Sequence, residues 1–464
     1  MEHPSSVAAG HPDTARAGRS VLDARGSAVD AAVAMLLTAC AAEQLFTGLS
    51  GGGFATVRDR DGTVTCVDFF VAVPGLDGRR AGAGVPISVN FAGQQVPYEV
   101  GPPTVAAHGI PAGARHLWER WGRLSWERVV QESVRVAERG AVFPEAHATL
   151  LHDVTAAMCV GEGRQVFCGS DGRPLTAGSR LHHPELAGVL RRFAADPECF
   201  RTGTVAEAIV AATADGGALS AADLASYAVV ESWPRTIDLV DLLGRPLTVH
   251  ARGDDLDDLL GTLEAVSARV LGDPLVDPAS AVALAEELAA PDRRTETTNL
   301  VAVDAEGAAC VITCSLGLGS TVWVPGTGLH LNSMMGEGEL IQGEPVPGAR
   351  MWSMMSPLVV TDADGRLVLT AGSAGGSRIR PALVQTVLRM IRGATAQQAI
   401  DAPRMVATPG AVRLEPGFTD AVRAALAQRF SVDVTATALP FFGGVSAVTA
   451  DGPGADRRRD GAVR

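Results

Sequence analysis

Residues 298–304, Thr-Asn-Leu-Val-Ala-Val-Asp, are read as a strand with the two-residue period of a half-buried one, a turn composition follows at Asp304-Ala305-Glu306-Gly307, and apolar character returns over 308–315. This pattern predicts a hairpin whose first strand is half-buried. Two more hairpins read the same way. One joins 54–58 to 63–69 across Asp59-Arg60-Asp61-Gly62, and the other joins 358–361 to 367–371 across Asp362-Ala363-Asp364-Gly365. Residues 7–42 read as helical, and within them 28–42 is apolar except for Asp30, too short to cross a bilayer and suited to a buried helix. Helical spacing also marks 115–140, 184–196, 204–214 and 381–392, with a short serine-capped helix over 220–227. Strands gathered in two regions with helices between them predict an α/β (α+β) chain of two packed antiparallel sheets with helices on both outer faces.

The chemistry sits at the head of the first hairpin. Thr297 precedes the predicted strand, where its hydroxyl would be held rigidly. If the Glu296-Thr297 bond breaks, Thr297 gains an α-amine beside its own Oγ, and one residue then supplies both nucleophile and general base. The ordinary pKa of such an amine, about 7.7 to 8.0, suits base catalysis near neutrality.

Composition narrows the alternatives. The 464 residues are 47% hydrophobic, enough for a sizeable core, and carry 39 basic against 52 acidic groups, a net charge of -13. With no basic stripe interleaved with aromatics, nucleic acid is not an expected partner. All the basic side chains are arginine; the absence of lysine removes Schiff-base chemistry and a P-loop. Seven scattered cysteines read as reduced and mostly buried, and the histidines, paired tightly only at His182-His183, suggest neither metal nor cofactor. The glycine loop 48–53 follows a helix instead of opening one after a strand, so it is not a dinucleotide loop. The first residues lack the basic and apolar regions of a signal peptide, from which we expect a cytoplasmic protein without a membrane partner.

A set of ordered motifs adds to this reading: Gly26-Ser27-Ala28-Val29-Asp30-Ala31-Ala32, Gly48-Leu49-Ser50-Gly51-Gly52-Gly53-Phe54, Pro325-Gly326-Thr327-Gly328, Ser356-Pro357, Gly375-Gly376-Ser377-Arg378-Ile379, Ala399-Ile400-Asp401-Ala402-Pro403-Arg404 and Asp456-Arg457-Arg458-Arg459-Asp460-Gly461. With these the chain resembles the γ-glutamyltransferase family over nearly its whole length. The resemblance implies the four-layer αββα sandwich of N-terminal-nucleophile hydrolases and self-cleavage between Glu296 and Thr297. The products would be a 1–296 fragment and a 297–464 fragment that remain partners within one domain. It assigns the oxyanion hole to Gly375 and Gly376, a second hydroxyl beside the nucleophile to Ser315, and a place near a small-molecule substrate to Asn332.

The pattern breaks where relatives read glutamate. The family's carboxylate-binding arginine follows an Asp-Phe pair; here Asp68-Phe69 is followed by Phe70, which cannot make a charge-assisted bond. Losing such a partner costs about 2 to 5 kcal/mol, roughly thirty-fold to several thousand-fold in affinity. Beyond Asn332 the paired acids are replaced by Met334-Met335-Gly336-Glu337, leaving Glu337 as the acid near the substrate. Met354 stands where a serine is usual before Ser356-Pro357, and Gly317 stands for an asparagine. The stretch 251–292 is shortened, with Arg252-Gly253-Asp254 in place of a proline-serine-glycine motif. The machinery for breaking an acyl bond is retained while the glutamate-reading shell is lost. The expected enzyme forms an acyl-Thr297 intermediate on another substrate. The favoured expectation is the actinobacterial branch that hydrolyses a carbon-carbon bond while building 4-alkylproline units of antibiotics, with an amidase or γ-glutamyl hydrolase as the alternative. An inactive binding protein is the reading against which retention of Thr297, Ser315 and the glycine pair speaks.

Overall fold

The computed structural model describes residues 5–91, 94–291 and 297–464. Its centre is the hairpin predicted around Asp304, formed by Thr298–Val303 and Ala309–Ser315. These two strands occupy the middle of a seven-stranded antiparallel sheet. Ser6–Ala9 flanks the first, and Gly52–Arg58 flanks the second and leads on to Val64–Phe69. A six-stranded antiparallel sheet stacks on it, built from Arg235–Val240, Pro246–Ala251, Leu358–Asp362, Leu367–Ala374, Gly444–Thr449 and Gly452–Ala455.

Side chains of Val301, Val303, Val311, Val359 and Val448 interleave between the sheets. Outside the first sheet, helices Pro12–Asp23 and Ala28–Ala42 pack on Leu300, Ala302 and Ile312. Outside the second, helices Leu259–Arg269, Pro278–Leu288 and Ile379–Ile391 cover Val249, Val360 and Leu369. This is the four-layer sandwich.

The hydrophobic pattern predicts a half-buried strand after Thr297, but every residue from Thr298 to Val303 is buried. Its polar members are inside because each has a partner. Thr298 Oγ1 donates to Glu43 Oε2 at 2.6 Å on the helix side, and Asn299 Oδ1 accepts from Thr313 Oγ1 at 2.8 Å between the sheets. A second correction concerns 7–42, which is a strand followed by two helices. Ser6–Ala9 is drawn into the ladder of Thr298–Val303, and Pro12 opens the first helix. Likewise 115–140 is two helices, Ile110–Trp121 and Trp126–Arg139, the second capped by Ser125.

Helix Ala28–Ala42 is buried along its whole length, as its composition predicts. Its one acid is held by backbone amides: Asp30 closes a capping box with Ser27, and the same Oδ2 accepts the Arg123 and Leu124 amides. Asp304, in the central turn, accepts the Ala28 amide at 3.1 Å and so ties the Thr298–Val303 hairpin to the helix start. Among the described residues no helix is long and apolar enough to cross a membrane.

Candidate active site

Thr297 stands at the head of the central strand and is 1% exposed. Its Oγ1 has no hydrogen-bond partner among the described residues. Thr298 pairs with Cys314, so one step along the ladder Thr297 faces Ser315, which in turn pairs with Gly52. The register carries Ser315 to the strand beside the Thr297 head, but among the described residues no hydrogen bond reaches Thr297 Oγ1, so the hydroxyl-to-hydroxyl bond that the resemblance implies is not formed here. Ser315 Oγ accepts the Gly317 amide at 2.9 Å. The row ends at Phe70, whose Cα lies 2.9 Å from where a Cβ on Gly52 would stand. Glu296 lies outside the described residues.

The second sheet supplies the facing wall. Strand Leu367–Ala374 ends at Gly375 and Gly376, with φ of 123° and 61°, and helix Ile379–Ile391 follows. Both φ values lie where residues with a Cβ are strained, so the turn needs glycine. Ala374 and Thr297 line a common cavity of about 20 Å³ together with Glu43, His147, Ser446 and Arg459, room for little more than one water molecule.

Phe70, Met334 and Met354 belong to one buried apolar cluster with Phe54, Met351 and Met355. Phe70 stacks on Phe54 with centroids 5.3 Å apart, and the Arg252 guanidinium covers the Phe54 ring at 3.7 Å. That guanidinium is committed to Asp254 and to the carbonyls of Ser353 and Met355, so it does not stand in for the arginine missing at Phe70. Glu337 is buried beside Gly317, where a side chain would collide with it; the glycine makes the room Glu337 occupies. Asn332 has a different position from the expected substrate contact. Its Nδ2 donates to the carbonyls of Ser50 and Ala106, and its Oδ1 accepts the amides of Ala106 and Met334. All four of its hydrogen-bonding positions are spent on holding three backbone segments together.

Comparison with known proteins shows the family. The family model described as gamma-glutamyltranspeptidase matches residues 14–247 and 265–464. The chain belongs to the γ-glutamyltranspeptidase family. It is 26% identical to an acylase ACY 1 proenzyme of Pseudomonas sp. (strain V22), over 91% of this chain and 86% of that protein. It is also 26% identical to the glutathione hydrolase proenzyme of Escherichia coli (strain K12), over 87% of this chain and 81% of that one. In fold it is similar to the crystal structure of cephalosporin acylase from Bacillus halodurans, with a TM-score of 0.81, 22% identity, and coverage of 100% and 96%. The chain is thus an enzyme of the hydrolase and acylase type of the γ-glutamyltranspeptidase family, and its relatives are proenzymes.

Two side chains beside Thr297 were not legible as site residues. Arg459 donates from Nη1 to the Thr297 carbonyl at 3.4 Å. His147, 1% exposed, lines the cavity beside it, and neither ring nitrogen has a hydrogen-bond partner among the described residues. Burial, with His11 and Arg459 adding to it, holds the imidazole well below its usual pKa and therefore neutral. Arg459 and Thr297 are 162 positions apart, and no local spacing announces such a pair.

Proposed function

We propose that the chain is a self-processing threonine hydrolase that cuts between Glu296 and Thr297 and then forms an acyl-Thr297 intermediate on a substrate that is not a γ-glutamyl compound. The observation that carries this reading is the buried Thr297 Oγ1, without a hydrogen-bond partner among the described residues, at the head of a row that runs through Ser315 and Gly52 to Phe70 instead of to a cation. Thr297 Oγ attacks a carbonyl, its amine takes the proton, the Gly375-Gly376 turn holds the oxyanion, and water releases the acyl group. In maturation the same Oγ attacks the Glu296 carbonyl. The pieces would be 1–296 and 297–464.

The finer reading is hydrolysis of a carbon-carbon bond next to a ketone or oxalyl carbonyl, in the making of 4-alkylproline units. Replacement of charged and polar groups by Phe70, Met334 and Met354 supports it, because such an acyl group needs no free α-amino acid reader. The acylase relatives favour a second reading, cleavage of an amide with an apolar acyl arm. Denaturing electrophoresis and three substrate types test these together. We expect fragments of 296 and 168 residues, negligible nitroaniline from γ-glutamyl-p-nitroanilide, and turnover of either a ketone or an apolar amide. Rapid nitroaniline release would overturn the altered specificity, and a Thr297→Ala chain that still cuts would overturn the nucleophile.

A further inference from the structure

Arg459 joins the two walls of the site. Its Nη1 bonds the Thr297 carbonyl, and its Nη2 lies 3.3 Å from where a Cβ on Gly375 would stand. The stem runs along Gly444, with Cδ 2.5 Å from the position of a Cβ there, and the guanidinium carbon lies 5.4 Å from the centre of the Phe46 ring. The side chain is 8% exposed. We propose that Arg459 is a positioning residue for the Thr297 reaction, holding the threonine carbonyl beside the Gly375 turn and keeping the liberated Thr297 amine in its neutral, proton-accepting form. This rests on the reading of Thr297 as nucleophile.

The physical reason is the fixed charge. A guanidinium on the carbonyl of a residue lies within about 7 Å of that residue's own nitrogen. A like charge so close disfavours the ammonium form. An α-amine with its ordinary pKa of about 7.7 to 8.0 is mostly protonated at pH 7 and cannot take the Oγ proton. Lowering that pKa by one makes about ten times more of the working form available in mildly acid solution.

The other ionisable groups around the site come from several elements. Glu43, after helix Ala28–Ala42, takes the hydroxyls of Thr14 and Thr298. His147 is neutral, with His11 behind it. Asp456 is paired with Arg404 and Arg458, and Asp460 accepts the Ala146 amide. Arg378 is on the Gly375 turn, and Glu337 is beyond Gly317. The carboxylates of Glu43 and Asp456 oppose the effect; the two guanidinium groups on Asp456 offset its charge, while Glu43, which receives hydroxyls, remains a countercharge against which Arg459 acts.

Labelling with ¹⁵N-threonine leaves the Thr297 α-amine as the single labelled amine once the chain is cut, because every other threonine nitrogen is a peptide amide. Its chemical shift against pH reads the proton affinity directly. We expect the wild type to titrate below pH 7, Arg459→Lys close to it, and Arg459→Gln about one pH unit higher. A role confined to shape would leave Gln and wild type alike. A cut wild type whose amine titrates at its ordinary value, or the same value in Arg459→Gln, would overturn this inference alone; an uncut wild type would overturn the nucleophile reading with it. Should Arg459→Gln remain uncut, wild type and Arg459→Lys decide: titration below the ordinary value in both supports the inference.

Discussion

At the scale of single residues, the buried polar groups divide into those without a described partner and those spent on architecture. Thr297 Oγ1 is buried with nothing described to bond, at a cost of about 1 to 3 kcal/mol that the proposed role as nucleophile would account for. Asn332 is the opposite, because every donor and acceptor it has is used on backbone. Asn332→Ala should therefore lower stability by about 3 kcal/mol, seen as an earlier urea midpoint. A variant with unchanged stability and a raised KM would instead make Asn332 a substrate ligand. Asparagine after Leu331 is visible in the sequence; which groups it meets is not, since Ser50 and Ala106 lie 282 and 226 positions away.

At the scale of elements, the C-terminal segment after Gly452–Ala455 delivers Arg459 to the head of the Thr298–Val303 strand. It is anchored by buried charge. Asp456 accepts from Arg404 at 2.7 Å and from Arg458 at 3.2 Å, while Arg458 also reaches Glu415 at 2.5 Å. Burial works against the Asp456 carboxylate, yet the two guanidinium groups hold it below the usual carboxylate range. Removing one partner strands the others. Asp456→Ala should cost about 3 to 5 kcal/mol and, by releasing the turn that carries Arg459, slow formation of the 168-residue fragment. Denaturant titration and a time course on denaturing gels would check both; normal cleavage in a destabilised variant would uncouple the segment from the site.

At the scale of the whole molecule, the proposed cut falls inside a sheet made from both pieces. Thr298–Val303 pairs with Ser6–Ala9, and Ala309–Ser315 pairs with Gly52–Arg58, while Leu358–Asp362 pairs with Pro246–Ala251 in the other sheet. The fragments should co-elute in native gel filtration and part only in denaturant; separation under native conditions would contradict this topology. A pH dependence follows from buried imidazoles. Burial lowers His108 and His183 to about 4 and His330 to about 3, and His147 well below its usual value. The unfolded chain binds these protons from about pH 6.5 downward while the folded chain refuses them, so stability is present above pH 6.5 and lost as pH falls toward 4. Each contributes up to about 1.4 kcal/mol per pH unit. Guanidinium midpoints at pH 7 and 5 should differ clearly, and equal midpoints would mean that these groups titrate normally.

What the amino-acid order determined alone was local or carried by motif. Hairpins around Asp59-Arg60-Asp61-Gly62, Asp304 and Asp362 follow from turn residues between alternating runs, and the buried helix Ala28–Ala42 follows from apolar composition capped by Ser27 and Asp30. The glycine pair after a strand was equally plain. Tertiary structure decided the rest, because burial and strand pairing depend on partners remote in the chain. Ser6–Ala9 became a strand only by meeting Thr298–Val303, and the latter lost its solvent face only because Glu43 and Thr313 satisfy Thr298 and Asn299 inside. Folding alone brings Arg459 and His147 to Thr297: charge and accessibility there are set by the packing of segments that no local pattern joins.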